Sequence, residues 1–210
     1  MERKIISVSG TLLGPEKMGW MKRFAKLLEG QKCVLVCGGG DLARSYQAVR
    51  ARDEDRDWLG IYATWLNARL LKCFFKDAEF LQGIKRPKKP IAITGGWKPG
   101  FSTDYVAVRY AKLLGSRKLI NLTHIDYLYT KDPSLPEAEP ILRIGWQEYL
   151  KRFWKPWKPG LRMPFDPVAS KLAAKLRLKV ILVNGERLSE VRKALQGKSF
   201  KGSVIGWKTS

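Results

Sequence analysis

The chain has 210 residues, enough for one sizeable domain or two small ones, and a hydrophobic content of 45% that suits a packed globular protein and excludes general disorder. No apolar run approaches the roughly 20 residues that a membrane span requires. With 40 Lys and Arg against 19 Asp and Glu, the net charge of +21 attracts polyanions such as nucleic acid, anionic lipid or nucleotides, although a nucleotide site needs only a few of those charges.

Helical and strand signals alternate along the chain. The start, MERKIISVSGTLLG, is basic and then apolar, like a signal peptide. Its apolar part is short, broken by Ser7, Ser9 and Gly10, and followed by no small-residue cleavage site, so Lys4–Val8 reads as a strand entering a turn. Pro15–Glu29 reads as an amphipathic helix with Trp20, Phe24, Leu27 and Leu28 on one face. Cys33–Cys37 is a second strand, apolar on both sides, ending in Gly38-Gly39-Gly40, and Asp41–Arg52 is a helix. Trp58–Phe75 predicts a long helix with an apolar stripe through Ile61, Leu66, Leu70 and Phe74. A basic, proline-containing turn (Ile84–Pro90) leads to a third strand, Ile91–Thr94, then the loop GGWKPGFSTD, a helix to Leu114 and a fourth strand, Lys118–Thr123. Beyond Asp132 the pattern weakens at Pro133, Pro136 and Pro140. Trp146–Trp154 reads as a short helix, Lys155–Pro164 as a loop, Pro167–Arg177 and Leu188–Gln196 as helices, and Val180–Val183 and Ser203–Ile205 as strands. Continuously apolar strands separated by helices imply a mainly parallel sheet covered on both faces. Ligands then bind where strands end in glycine-rich turns that open into helices. The cysteines Cys33, Cys37 and Cys73 have no metal spacing, and an odd count of buried thiols suits a reducing cytoplasm.

Two strand ends carry such turns. In CGGGDLARSYQ (37–47) the glycines let the backbone approach a phosphate, the helix start aims unpaired N–H groups at it, and Arg44 lies one turn further on. A plain tight turn is an equally good reading of the three glycines. GGWKPGFSTD (95–104) nearly spells the phosphate loop G-x-x-x-x-G-K-[ST], but Phe101 stands where the lysine belongs and Lys98 offers charge from another direction. Ser102 and Thr103 can cap the following helix or donate hydroxyls to an anion, and Asp104 sits in its first turn, where acids are ordinarily favoured.

In order, the chain reads V-x-GGG-x-x-AR-x-Y (Val36–Tyr46), D-x-x-G-I-x-x-T-x-x-NA (Asp57–Ala68), TGG-x-x-PG-x-(S/T)TD-x-VA (Thr94–Ala107), T-x-(V/I)D-x-x-Y-x-x-DP (Thr123–Pro133) and DP-x-A (Asp166–Ala169). Taken together these segments resemble the amino acid kinase superfamily and, within it, uridylate (UMP) kinases of the archaeal type. The resemblance implies an α/β fold, a three-layer αβα sandwich around a mainly parallel eight-stranded sheet. It implies one domain, with about 1–115 binding UMP and forming dimers and about 116–210 binding ATP. The implied reaction is UMP plus ATP to UDP plus ADP with Mg²⁺, in the cytoplasm, by a hexamer built from dimers. Gly39 would meet the UMP phosphate, Gly40 and Arg44 would lie where the two nucleotides' phosphates face each other, and Asp57 would hold the UMP ribose. Trp97, Lys98, Pro99, Gly100, Phe101, Ser102 and Thr103 would line the acceptor. Ser9 and Gly10 would approach the ATP phosphates, Thr123, His124, Tyr129 and Asp132 would surround adenine and its ribose, and Asp166 would lie near the phosphate tail. Asp104 matches the acid that organises catalytic cations in related kinases, and so takes the catalytic role beside Arg44. No metal ligand from the protein is implied.

The chain departs from the pattern at three places. Many relatives carry a lysine where Ser7 stands, with Lys4, Lys17 and Lys98 as the candidates to replace it. Tyr127 replaces a glycine, and Trp97 a small or phenyl residue. Two other readings remain open at this level. One is a small-phosphate kinase of the same fold, which would use a histidine near the front glycines, whereas the single histidine is His124. The other is a nucleic-acid-binding protein that stacks bases on Trp146–Phe165, where aromatic and basic residues interleave. Those tryptophans would equally suit packing against a neighbouring subunit.

Overall fold

The computed structural model describes residues 2–156 and 163–206. The middle of the loop expected at Lys155–Pro164 lies outside the described residues. In chain order the elements are β1 (Lys4–Val8), α1 (Met18–Leu27), β2 (Cys33–Cys37), α2 (Gly40–Gln47), α3 (Asp53–Lys72), β3 (Ala78–Leu81), β4 (Ile91–Thr94), α4 (Thr103–Leu114), β5 (Lys118–Thr123), β6 (Leu128–Tyr129), β7 (Pro140–Ile141), β8 (Arg143–Ile144), α5 (Trp146–Phe153), α6 (Pro167–Lys175), β9 (Lys179–Asn184), α7 (Leu188–Leu195) and β10 (Ser203–Ile205).

One eight-stranded sheet runs β3-β4-β2-β1-β5-β9-β10-β8, and a separate ribbon pairs β6 with β7. Pairing is parallel from β3 through β9; β10 pairs antiparallel with β9, and β8 pairs parallel with β10, so these two strands run opposite to the rest. Successive side chains on each strand serve opposite layers. Ile6, Val8, Leu35, Cys37, Ile93 and Leu122 pack with α1, α3 and α7, while Ile5, Val34, Val36, Ala92 and Val180 pack with α4, α5 and α6. The result is a three-layer αβα sandwich, and the central strands are apolar throughout because both faces are covered.

Several expectations are corrected. β3, β6, β7 and β8 had no sequence signal: each is two to four residues long, and the edge strand β3 contains Glu79, which accepts hydrogen bonds from the Lys88 and Lys89 N–H groups. α2 stops at Gln47 rather than Arg52, and α3 begins at Asp53 rather than Trp58. The first turn of α3 carries Asp53, Glu54 and Asp55, which favour a helix start electrostatically but leave no apolar periodicity to read. The buried line of α3 is Gly60, Ile61, Thr64, Asn67, Ala68 and Leu71, and Leu66, expected in the stripe, is 60% exposed. The stripe was misassigned because two members of the buried face are polar. Cys73 is exposed, so the buried thiols number two, not three. Part of the aromatic segment near α5 points inward, while Trp154 is 44% exposed: Tyr149 and Phe165 are fully buried, the Tyr149 hydroxyl donates to the Phe165 carbonyl (3.0 Å), and Trp146 Nε1 donates to the Leu178 carbonyl (2.8 Å). Tyr149, Phe165 and Trp146 hold the α5–α6 layer and are not available to stack on bases.

Leu35→Ala, in the middle of β2, should cost about 2–5 kcal/mol of stability. Leu66→Ala, on the outer face of α3, should change it by no more than about 0.5 kcal/mol. Urea unfolding monitored by tryptophan fluorescence checks both.

Candidate active site

The carboxyl ends of β1, β2, β4 and β5 open into one cleft of about 910 Å³, near the top of the roughly 300–1,000 Å³ range of small-molecule sites. Its floor is a contact between backbones. A Cβ on Gly10, just after β1, would lie 2.0 Å from Gly40 N and 2.5 Å from Gly39 C, and one on Gly40 would lie 2.4 Å from the Gly10 carbonyl. Gly40 also takes φ +61°, a left-handed backbone that only glycine adopts without strain. Hydrogen bonds from Gly38 N to Val8 O (2.8 Å) and from Ser9 N to Leu122 O (2.9 Å) continue the sheet into these turns. The first turn of α2 therefore presents its free N–H groups over the end of β1, a ready anion site.

α3 secures the turns from behind. Asn67 Nδ2 donates to the carbonyls of Gly38 (2.9 Å) and Gly39 (3.1 Å). Thr64 Oγ1 accepts from Gly96 N (2.7 Å) and donates to Ile61 O (2.6 Å), and Trp65 Nε1 donates to Gly96 O (2.9 Å). Asp57 Oδ2 accepts from Gly100 N (2.7 Å), where Gly100 takes φ +83°. Burial holds the Asp57 carboxyl above the usual range, with the Gly100 N–H pulling the other way. The motif D-x-x-G-I-x-x-T-x-x-NA is thus the face of one helix that fastens two loops. Similarly, DP-x-A is a helix start: Asp166 caps α6 by accepting from Ala169 N (2.6 Å), with Pro167 at the first helical position.

Asp104, in the first turn of α4, faces the cleft. Its Oδ1 accepts from the Ser7 hydroxyl (2.9 Å) and its Oδ2 from Asp166 N (3.3 Å). Burial pushes the Asp104 carboxyl up to about 6, against the pull of Ser7 and Asp166 N. Burial also pushes Asp166 up to about 7, against the Ala169 N–H, and the neighbouring Asp104 adds to the rise. Among the described residues, no well-aligned hydrogen bond reaches the buried Asp166 Oδ2. The replacement lysines do not approach this pair: Lys4 Nζ bonds Gln31 (2.6 Å) at the opposite end of β1, Lys17 pairs with Glu186 (3.4 Å), and Lys98 lies over the rings of Trp97 and Phe101. Among the described residues, Lys131 is the lysine that lines the cleft.

Of the residues singled out by sequence, Ser9, Gly10, Gly39, Gly40, Arg44, Asp57, Phe101, Ser102, Thr103, Asp104, Thr123, His124, Tyr129, Asp132 and Asp166 all line this cleft. Trp97, Lys98, Pro99 and Gly100 stand behind its wall. Trp97 packs against Phe101 (ring centroids 5.6 Å), and Phe101 stacks on Tyr105 (4.3 Å). Ser102 caps α4 through Tyr105 N (3.1 Å). Arg44 pairs with Asp41, whose side chain is 88% exposed. Asp132 is held below the usual carboxylate range by the Ser134 N–H and hydroxyl. Gln47 and Asn121 had no role assigned from the sequence, and Thr64 and Asn67 entered only as members of the Asp57–Ala68 motif. Their further signal is that they are polar residues in line with Ile61 and Leu71 on a buried helix face.

A parallel αβα sandwich with two facing glycine turns, an arginine and paired acids at its strand ends is a phosphate-handling site of the amino acid kinase fold. Residues 84–184 match the amino acid kinase family. The uridylate kinase of Hyperthermus butylicus is 31% identical, over 96% of this chain and 97% of its own length, and that of Sulfurisphaera tokodaii is 32% identical over 84% of each. The crystal structure of uridylate kinase from Archaeoglobus fulgidus superimposes with a TM-score of 0.81 at 27% identity, covering 98% of this chain and all of that one. The chain belongs to the uridylate kinase family.

The raised carboxyls make stability depend on pH. Both bind protons more readily in the folded than in the unfolded state. Their contribution is therefore fully favourable below about pH 4 and is lost as pH rises through about 6 and 7. Asp166→Asn keeps a capping side chain. In metal-free buffer its melting temperature should match the wild type near pH 4 and exceed it increasingly towards pH 8. A difference that does not change with pH would mean the pair carries no such penalty.

Proposed function

We propose that this chain transfers the γ-phosphoryl group of ATP to UMP, giving UDP and ADP, a step of pyrimidine nucleotide synthesis. The observation that carries this reading is the contact of Gly10 with Gly39 and Gly40, which sets two phosphate-cradling turns back to back in one cleft. A donor held at Ser9–Gly10 and an acceptor held at Gly39–Arg44 would meet phosphate to phosphate. Phosphoryl transfer asks chiefly for such positioning and for compensation of negative charge. The UMP phosphate oxygen is itself the nucleophile, so no side chain need attack, and His124 serves only to line the donor side.

Arg44 supplies the mobile positive charge. Its ion pair with the exposed Asp41 is of the weak surface kind, readily given up for a phosphate. Asp57, locked by Gly100 N, holds the acceptor ribose. Phe101, Ser102 and Thr103 close the acceptor side, and Thr123, Tyr129 and Asp132 receive the donor nucleoside. The division follows the fold: about 1–115 serves UMP and about 116–210 serves ATP. The site also fits Mg²⁺, because Asp104 and the unpaired Asp166 Oδ2 are hard oxygen donors on the cleft wall. Bound there with the nucleotide, the ion would offset the charge of the phosphate oxygens. Ser7 orients Asp104 where relatives place a lysine, so Asp104 keeps its charge for that cation.

No helix of the described residues is long and apolar enough to cross a membrane. We place the enzyme in the cytoplasm as a hexamer, a trimer of dimers. The outer face of α3, with Tyr62 at 59% and Leu66 at 60% exposure, supports a subunit contact there.

With ATP and Mg²⁺, a coupled assay across UMP, CMP, AMP and GMP should show turnover with UMP foremost. Arg44→Ala and Asp57→Ala should each lower kcat/KM for UMP more than tenfold, a loss of about 1.4 kcal/mol or more. Full activity in both variants would remove these residues from the acceptor site.

A further inference from the structure

Gln47 is the last residue of α2 and lies one turn beyond Arg44. Its carboxamide lies directly on Gly60: a Cβ built there would stand 2.3 Å from Gln47 Nε2, so any larger residue at that position would push the amide out of this place. The Arg56 guanidinium ties the two helices together at this point. Its Nε donates to the Gln47 carbonyl (2.8 Å), and its Nη1 donates to Asp53 (3.1 Å). Gln47 and Gly60 both line the cleft. Among the described residues, nothing in the protein hydrogen-bonds the Gln47 carboxamide, which offers two N–H donors and one acceptor oxygen.

Asp57 stands one turn before Gly60 on the same face of α3. One of its oxygens is committed to Gly100 N, and the other has no partner among the described residues. One free carboxylate oxygen, which only accepts, and a carboxamide that can donate therefore line the same cleft, both without a partner among the described residues. Two adjacent hydroxyls, each able to donate and to accept, complete that set, and a vicinal diol is such a ligand. Along α2 the groups run in the order of a nucleotide: the glycine turn and Arg44 at the phosphate, then Gln47 at the sugar.

We propose that Gln47 is a specificity-determining residue that, with Asp57, holds the 2′- and 3′-hydroxyls of the acceptor's ribose and so favours a ribonucleotide over its deoxy forms. The inference rests on the reading above in taking UMP as the acceptor. A site built to hydrogen-bond a hydroxyl rejects a ligand lacking it, because its own buried polar groups are then left unpaired.

The test measures dissociation constants by calorimetry, and KM where there is turnover, for UMP, 2′-deoxy-UMP and 3′-deoxy-UMP. The proteins compared are the wild type, Gln47→Met, which keeps the shape without the amide, and Gln47→Glu, which keeps an acceptor but not the donor. Thermal unfolding confirms that each variant is folded. Gln47→Met should weaken UMP about tenfold and leave one of the two deoxy analogues unchanged, so that the preference for UMP over that analogue collapses. Gln47→Glu should lose the same preference, which keeps the question open to test should the methionine variant fail to fold. An unchanged affinity for UMP, or an equal loss for all three nucleotides, overturns the assignment, the second marking Gln47 as packing only. Wild-type binding of UMP without phosphate transfer would sink the kinase reading, while the contrast among the three nucleotides still decided the role of Gln47. No binding of UMP at all would overturn both.

Discussion

Three glycines at the ends of β1 and β2 touch backbone to backbone, and the cleft is arranged around that contact. Gly10 approaches Gly39 and Gly40 so closely that a methyl group on either side would overlap main-chain atoms. Main chain cannot retract as a flexible side chain can. The two turns therefore hold a fixed separation and orientation as long as β1 and β2 stay paired, and that pairing is buried in the centre of the sheet. Anything gripped by one turn is placed relative to anything gripped by the other by the sheet itself.

The polar residues of α3 extend the same logic outward. Thr64 and Asn67 are buried, yet each spends its hydrogen-bonding capacity on loop backbone that the sheet cannot reach: Gly96 for Thr64, and Gly38 and Gly39 for Asn67. A helix that were apolar along this line would bury more hydrocarbon, but it would leave those loop groups unpaired in the interior, at a cost comparable to the hydrogen bonds lost. The same helix carries Asp57 to Gly100 and makes room for Gln47 at Gly60. α3 is thus at once the packing partner of the sheet and the frame of the acceptor side.

The opposite wall is organised by two acids that have no cationic neighbour among the described residues. Ser7 and the Asp166 N–H supply hydrogen bonds to Asp104, but a hydroxyl and an amide cannot neutralise a carboxylate as an ammonium would. Burial raises the carboxyls of both Asp104 and Asp166, and the Ser7 hydroxyl and Asp166 N–H offset only part of that rise at Asp104. In a chain of net charge +21 the cations are plentiful, yet Lys4, Lys17 and Lys98 are all engaged elsewhere on the molecule. The global charge thus says little about charge at the site.

The amino-acid sequence alone was sufficient to assign the α/β class, the central strands and the glycine turns that open into α2 and α4. Those signals are local: continuous apolar runs such as Cys33–Cys37, glycines grouped at strand ends, and a capping serine before an apolar helix. The ordered motifs also named most of the residues that meet in the cleft. Tertiary structure alone decided which of them face it. Trp97, Lys98, Pro99 and Gly100 are adjacent in the chain to Phe101 but stand behind the wall, and Gln47, at the end of α2, stands in front of it. It also decided that Tyr149 and Phe165 are core while Trp154 stays exposed, and that edge strands as short as β8 exist. The physical reason is the same in each case: a side chain's direction and partners depend on contacts between residues distant in the chain, such as Gly10 with Gly40 or Asp57 with Gly100, and periodicity within one segment carries no information about them.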